Sequence, residues 1–262
     1  MLEDLFLGRL PCSRMWHRRC HFGELNIGND EGNFRNNLKN KNEILTVASI
    51  GGGPIGAGWA AHFLAKGLSV KCYLHSEDEI DGYKSLIKTA WETLEKLGID
   101  ETASLEKMQI FTDLKESLTD VDFVQESIPE ILKVKQDFYS LIDLFLNPSV
   151  IIASSTSGLL ISDIVKDCNT KDRAIVGHPF NPPYLLPLVE VVASEYTNKL
   201  CVDHAVSFYK AVGKVPIVLK KEIPGFIATR LQEALWREAL HMVANDEATP
   251  CLLYTSPSPR DS

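Results

Sequence analysis

ILTVASIGGGPIGAGWAAHFLAKG, residues 44–67, decides the fold. Its opening residues form an apolar run rich in β-branched side chains, the pattern of a buried strand. Glycines stop that run at Gly51. PIGAGWAAHFLAKG then reads as a helix, with Gly67 placed just past its end. A strand that turns through G-x-G-x-x-G into a helix opens a dinucleotide-binding βαβ unit. Gly51 allows the tight turn, Gly53 lets a pyrophosphate approach the backbone, and Gly56 lets the helix lie close on the sheet. The helix N-terminus adds free N–H groups and the positive end of a dipole. A purely structural glycine turn is the alternative, and the strand before and helix after argue against it.

Outward from this stretch the same alternation continues. SVKCYL, VDFVQES, SVIIASS, RAIVGHP, LVEVVAS and VPIVLK are strand runs. Between them lie helical stretches near 77–97, 130–145, 161–168 and 198–213. In the first of these, Ile80, Tyr83, Leu86, Ile87, Ala90, Leu94 and Leu97 carry the helical period. Alternation at these lengths predicts an α/β fold with a doubly wound, mostly parallel Rossmann-type sheet over residues 43–221. Residues 222–250 begin a second, helical unit with the amphipathic run FIATRLQEALWREALHMVA.

The two ends read differently. Residues 1–42 are rich in Asn, Arg and Gly and carry no apolar period, so they are expected to be a disordered or mistranslated extension. CLLYTSPSPRD, at 251–261, resembles one reading frame of a transposase sequencing adapter. An adapter-derived, unpacked tail over 251–262 is therefore expected, with the natural sequence interrupted near Pro250. A Ser/Pro-rich flexible tail is the alternative.

Composition narrows the function classes. The chain has 262 residues, 45% of them apolar, enough for a substantial core. Its formal net charge is −8 and its pI about 5.4, which argue against nucleic acid or an anionic membrane as partner. No apolar run reaches the roughly 18 residues of a spanning helix. The six cysteines show no C-x-x-C spacing. They read as buried small hydrophobes in a cytoplasmic protein, with no metal site.

An NAD site usually carries Asp or Glu at the end of the second strand. Here Leu74 stands there, followed by His75 and Ser76, with Glu77 and Asp78 slightly late. No arginine stands nearby to hold a 2′-phosphate, so NAD is the expected cofactor.

VGHPFNPPYLLPLVEVV, residues 176–192, holds the candidate chemistry. His178 leaves the RAIVG strand at the carboxyl edge, where open α/β sheets bind ligands. Four prolines separate it from Glu190, which the LVEVV strand carries back. Such a stiffened loop can hold imidazole and carboxylate face to face. Alcohol oxidation needs a base for the hydroxyl proton, and a carboxylate behind an imidazole fixes its tautomer. The alternative is a histidine that caps a strand and a glutamate that faces water.

GGGPIGAG, VQESIPEILKVK, SSTSGL and GHPFNPPYLLPLVEV occur in the order found in the L-3-hydroxyacyl-CoA dehydrogenase superfamily, which residues 44–245 resemble. The resemblance implies His178 as catalytic base, Glu190 as its partner and Ser157 as a hydrogen-bond donor to the substrate oxygen. It implies that Glu130, Lys135 and Asn181 contact the nicotinamide half of NAD. It further implies a small-molecule substrate and a homodimeric full-length protein.

Within the superfamily, AWETLEKLG, RLQEALWREAL and HPFNPPYLLPLVEVV are most similar to the L-carnitine 3-dehydrogenase branch. Ala90 and Leu97 stand where the acyl-CoA branch places a serine and a lysine for CoA, and Thr229 where it has asparagine. Oxidation of L-carnitine to 3-dehydrocarnitine is thus the leading expectation. Oxidation of L-3-hydroxybutyryl-CoA, L-gulonate dehydrogenase or lambda-crystallin activity, and a non-catalytic cofactor-binding protein are the alternatives. Trp91, Tyr184 and Trp236 are candidate aromatic faces for a trimethylammonium group. The helix over 225–245 is expected to expose an apolar stripe.

Overall fold

The computed structural model describes residues 44–255. The expectations for residues 1–42 and for the tail beyond 255 lie outside the described residues. A single eight-stranded sheet runs through the molecule in the order β3-β2-β1-β4-β5-β6-β7-β8. The strands are β1 (Thr46–Ile50), β2 (Ser69–Tyr73), β3 (Met108–Phe111), β4 (Phe123–Glu126), β5 (Ile151–Ser154), β6 (Ala174–Pro179), β7 (Leu188–Val192) and β8 (Val215–Val218). All neighbours pair parallel except β6 and β7, which are antiparallel. The strand order reverses between β1 and β4, which places a ligand crevice at their carboxyl ends.

The helices are α1 (Pro54–Ala65), α2 (Ile80–Leu97), α3 (Leu114–Ser117), α4 (Leu132–Ile142), α5 (Ile161–Ile164), α6 (Lys199–Ala211), α7 (Ala228–Ala244) and α8 (Pro250–Thr255). They build a core on each face of the sheet. On one face Trp59, Phe63 and Leu64 of α1 pack with Tyr83, Ile87 and Leu94 of α2 and Phe208 of α6. On the other, Tyr139 and Ile142 of α4 pack with Ile161 and Ile164 of α5. β1 feeds both, with Val47 on the first side and Ala48 on the second, as alternation along a strand requires. Every residue of α1 from Gly56 to Ala65 is buried, and all but His62 are apolar or glycine.

Three features depart from the expectations. In α2, Leu86 and Leu97 face outward, at 37% and 67% exposure; the buried stripe is Tyr83, Ile87, Ala90, Trp91 and Leu94. β3 is an edge strand without full burial, MQIF, whose sequence carries little strand signal. Finally, although Cys251 and Leu252 are exposed, the start of the expected unpacked tail is helical over Pro250–Thr255. Thr249 accounts for it. Its Oγ1 accepts from the Leu252 N–H at 3.2 Å, while Pro250 occupies the first helical position. As expected, α7 exposes its apolar side chains: Leu231, Leu235, Trp236 and Leu240 are all at least half exposed.

Candidate active site

The glycine loop connects β1 to α1, and its glycines differ in what surrounds them. A Cβ on Gly51, where φ is +118°, would lie 2.5 Å from the Ser127 carbonyl oxygen. One on Gly56 would collide with the Gly51 carbonyl oxygen. Both positions therefore demand glycine. Gly53 has nothing within 4 Å of its would-be Cβ, and it precedes α1 with no side-chain cap. An open backbone face at an uncapped helix N-terminus fits a pyrophosphate. Leu74 follows β2, fully buried, with a methyl group beside Gly52.

His178 and Glu190 are register partners across the antiparallel β6–β7 pair. The proline-stiffened loop turns the chain between them, and His178 Nδ1 lies 2.8 Å from Glu190 Oε2. The Glu190 carboxylate is fully buried. Its other oxygen, Oε1, accepts the backbone N–H groups of Ile227 and Ala228, each at 3.0 Å. Glu190 thus caps the start of α7 while it orients the imidazole. With Nδ1 engaged, Nε2 is the nitrogen left for another partner, and His178 lines a cleft of about 590 Å³.

The same cleft collects Glu130, Lys135, Ser157 and Asn181. Glu130 Oε1 accepts the Ser157 N–H at 2.9 Å and also the Thr156 hydroxyl. Ser157 is held from the other side as well, because its carbonyl accepts from Thr229 Oγ1 at 3.1 Å. Lys135 is buried, and its ammonium donates to Glu126 Oε1 at 2.5 Å. It lies 3.6 Å from Glu130 Oε2. Its charge is therefore already matched within the protein. Asn181 is exposed at the cleft.

The aromatic candidates fare differently. Trp91 is 8% exposed in the α2 core stripe, and its indole N–H donates to Glu95 at 2.8 Å. Tyr184 packs against the same core. Trp236 is exposed on α7, one turn beyond the cleft residue Gln232. The aromatic side chain that does line the cleft is Phe180, whose ring centroid is 5.5 Å from that of His178.

Sequence reasoning missed the polar network that runs from the cleft wall, at Ser127 and Ser155, into the core. Tyr209 donates to Gln125 at 2.7 Å, Gln125 donates to Ser155 at 2.9 Å, and Ser155 pairs with Ser127 at 2.8 Å. Gln125 and Ser127 belong to VQES and Ser155 to SSTS, so the motifs held them without revealing that they meet.

Residues 46–223 match the family model described as 3-hydroxyacyl-CoA dehydrogenase, NAD binding domain. The chain belongs to that family. L-carnitine dehydrogenase of Streptomyces griseus subsp. griseus is 49% identical over 207 residues, 79% of this chain and 62% of that protein. The chain thus spans under two thirds of that curated relative's length. Among solved structures, 5-formyl-3-hydroxy-2-methylpyridine-4-carboxylic acid 5-dehydrogenase, described as an NAD+-dependent dismutase, superposes with a TM-score of 0.75 at 30% identity. That match covers 81% of this chain and 71% of the other. (S)-3-hydroxybutyryl-CoA dehydrogenase of Ralstonia eutropha gives 0.72 at 27% identity, covering 79% of this chain and 74% of the other. The doubly wound, mostly parallel sheet and NAD as cofactor agree with the expectations from sequence. Of the cysteines among the described residues, Cys72, Cys168 and Cys201 are buried free thiols, as expected, whereas Cys251 is exposed, against the expectation of burial. Among the described residues, no helix is long and apolar enough to cross a membrane.

Proposed function

We propose that this chain carries the cofactor-binding and acid/base half of an NAD-dependent dehydrogenase that oxidises L-carnitine to 3-dehydrocarnitine. The observation that carries the reading is the 2.8 Å contact between His178 Nδ1 and the buried Glu190 carboxylate, at the edge of a cleft shared with Ser157. NAD, when bound, supplies the hydride acceptor for the carbinol C–H. His178 takes the hydroxyl proton on Nε2, and Glu190 stabilises the imidazolium that forms. Ser157 donates to the substrate oxygen and keeps it oriented. Glu130 fixes Ser157 through its backbone N–H. Asn181 and the Glu130–Lys135 pair, which line the same cleft, would contact the nicotinamide half.

Support for carnitine comes from the names of relatives and from α2. Ala90 is buried and Leu97 is a bare apolar side chain, so neither offers a polar group to CoA. Phe180 in the cleft, and Trp236 one turn along α7, supply aromatic faces for a quaternary ammonium. A second reading, oxidation of L-3-hydroxybutyryl-CoA, is favoured by the likeness to the Ralstonia enzyme. Comparing kcat/KM for NADH formation from each substrate decides between them. A higher value for L-carnitine supports the first; a higher value for the thioester replaces it with the second.

The exposed apolar face of α7 supports a homodimeric full-length protein in which this face is covered. Light scattering on the full-length protein tests that; a stable monomer at micromolar concentration contradicts it.

A further inference from the structure

Leu74 leaves the adenosine side of the cofactor loop without the carboxylate that usually ends the second strand. It is fully buried, and its Cδ2 lies 3.3 Å from where a Cβ on Gly52 would stand. A side chain in that position offers no acceptor to a ribose hydroxyl. The carboxylate present at this edge comes from elsewhere. After β2 the chain makes a short 3-10 turn, Glu77–Glu79, whose first two residues point to solvent while Glu79 is half-buried. Glu79 Oε2 accepts the His75 N–H at 3.3 Å and overlaps the would-be Cβ of Gly52. Its carboxylate therefore occupies the space left bare above the second glycine of the loop, beside the carboxyl end of β2.

We propose that Glu79, delivered by the 3-10 turn, replaces the missing acid as the acceptor for the adenosine ribose hydroxyls of NAD and sets the preference for NAD over NADP. The physical reason is twofold. A carboxylate accepts from a vicinal diol through charge-assisted hydrogen bonds, which are stronger than neutral ones. The same negative charge repels a 2′-phosphate. A long flexible side chain from the turn reaches the ribose edge where a short one from the strand end would do so directly. Gly52 is needed for this, because any side chain there would push Glu79 away. This role rests on NAD binding alone and is independent of the substrate.

The test is equilibrium titration of this chain with NADH, NADPH and NADH lacking the adenosine 2′-hydroxyl, read by nicotinamide fluorescence. Wild type should prefer NADH and bind the 2′-deoxy compound more weakly. Glu79→Gln and Glu79→Ala should weaken NADH binding about 10- to 100-fold. They should also remove most of the penalty for the missing hydroxyl and narrow the gap between NADH and NADPH. If Glu79 only braces the His75 backbone, the variants change stability while wild type and variants keep the same ratio of NADH to 2′-deoxy affinity. That constant ratio, or unchanged NADH affinity in both variants, overturns the assignment.

Discussion

Glu190 divides its two oxygens between two neighbours: Oε2 holds His178 Nδ1 at 2.8 Å, and Oε1 holds the first N–H groups of α7 at 3.0 Å. The acid/base pair is thereby fastened to the helix that walls the cleft. The two tasks respond differently to substitution. Glu190→Gln keeps a carbonyl oxygen for α7 but loses the charge behind the imidazole. Turnover should fall by roughly 100- to 10,000-fold with a small change in urea stability. Glu190→Ala should also orphan the Ile227 and Ala228 N–H groups, costing a further ~1–3 kcal/mol in the same denaturation experiment.

Gly53 and Gly56 form a matched pair of probes. A methyl at Gly53 enters open space, and the backbone there, at φ −79° and ψ 176°, suits any residue. Gly53→Ala should therefore fold normally yet bind NADH more weakly, since the methyl stands where the pyrophosphate must approach. Gly56→Ala meets the Gly51 carbonyl and should lose about 1–3 kcal/mol of stability besides. Thermal unfolding paired with NADH titration separates the two. Equal destabilisation by both would contradict this account of the loop.

At the cleft wall, Lys135 and Glu126 form a buried ion pair to which Ser154 contributes a hydrogen bond at 2.6 Å. Lys135→Met should destabilise the domain by about 3–5 kcal/mol, because it strands a buried carboxylate. Urea unfolding measures it. A loss of cofactor affinity with full stability would assign Lys135 to the ligand alone.

His62 is buried in α1 and donates through Nε2 to the Val212 carbonyl at 2.8 Å. Burial, reinforced by the nearby Lys214 charge, lowers its pKa from 6.5 to about 3. The folded state thus keeps it neutral while the unfolded chain takes up a proton across that window. Stability should rise with pH from about 3 to 6.5 and be lost as pH falls back through it. The contribution is on the order of 5 kcal/mol. His62→Gln, compared with wild type in urea titrations at several pH values, should flatten this part of the profile. An unchanged slope would show that carboxylates alone set it.

What the sequence made legible was local. The turn from β1 into α1 needs only neighbouring residues, so the glycine loop and its demand for glycine could be read directly. The His178–Glu190 contact was also readable, because both residues lie on strands joined by one stiff loop. Contacts made by distant segments were not. The cap that Glu190 gives α7 joins residues 37 positions apart. The Tyr209–Gln125 bond spans 84. No period or motif encodes such meetings. Aromatic residues misled for a related reason: Trp91 sits at helical spacing with core positions, and burial of its ring outweighs any role at the cleft. Thr249 and Pro250 form a helix start that the Ser/Pro-rich wording after them concealed.

The most direct test of the acid/base assignment is His178→Gln in the active enzyme, with turnover and NADH affinity measured on one preparation. A loss of roughly 100- to 10,000-fold in kcat for L-carnitine oxidation, with NADH affinity within about 2-fold of wild type, is the predicted result. Near wild-type turnover in His178→Gln would contradict it and leave the 2.8 Å contact with Glu190 as a structural cross-strand pair.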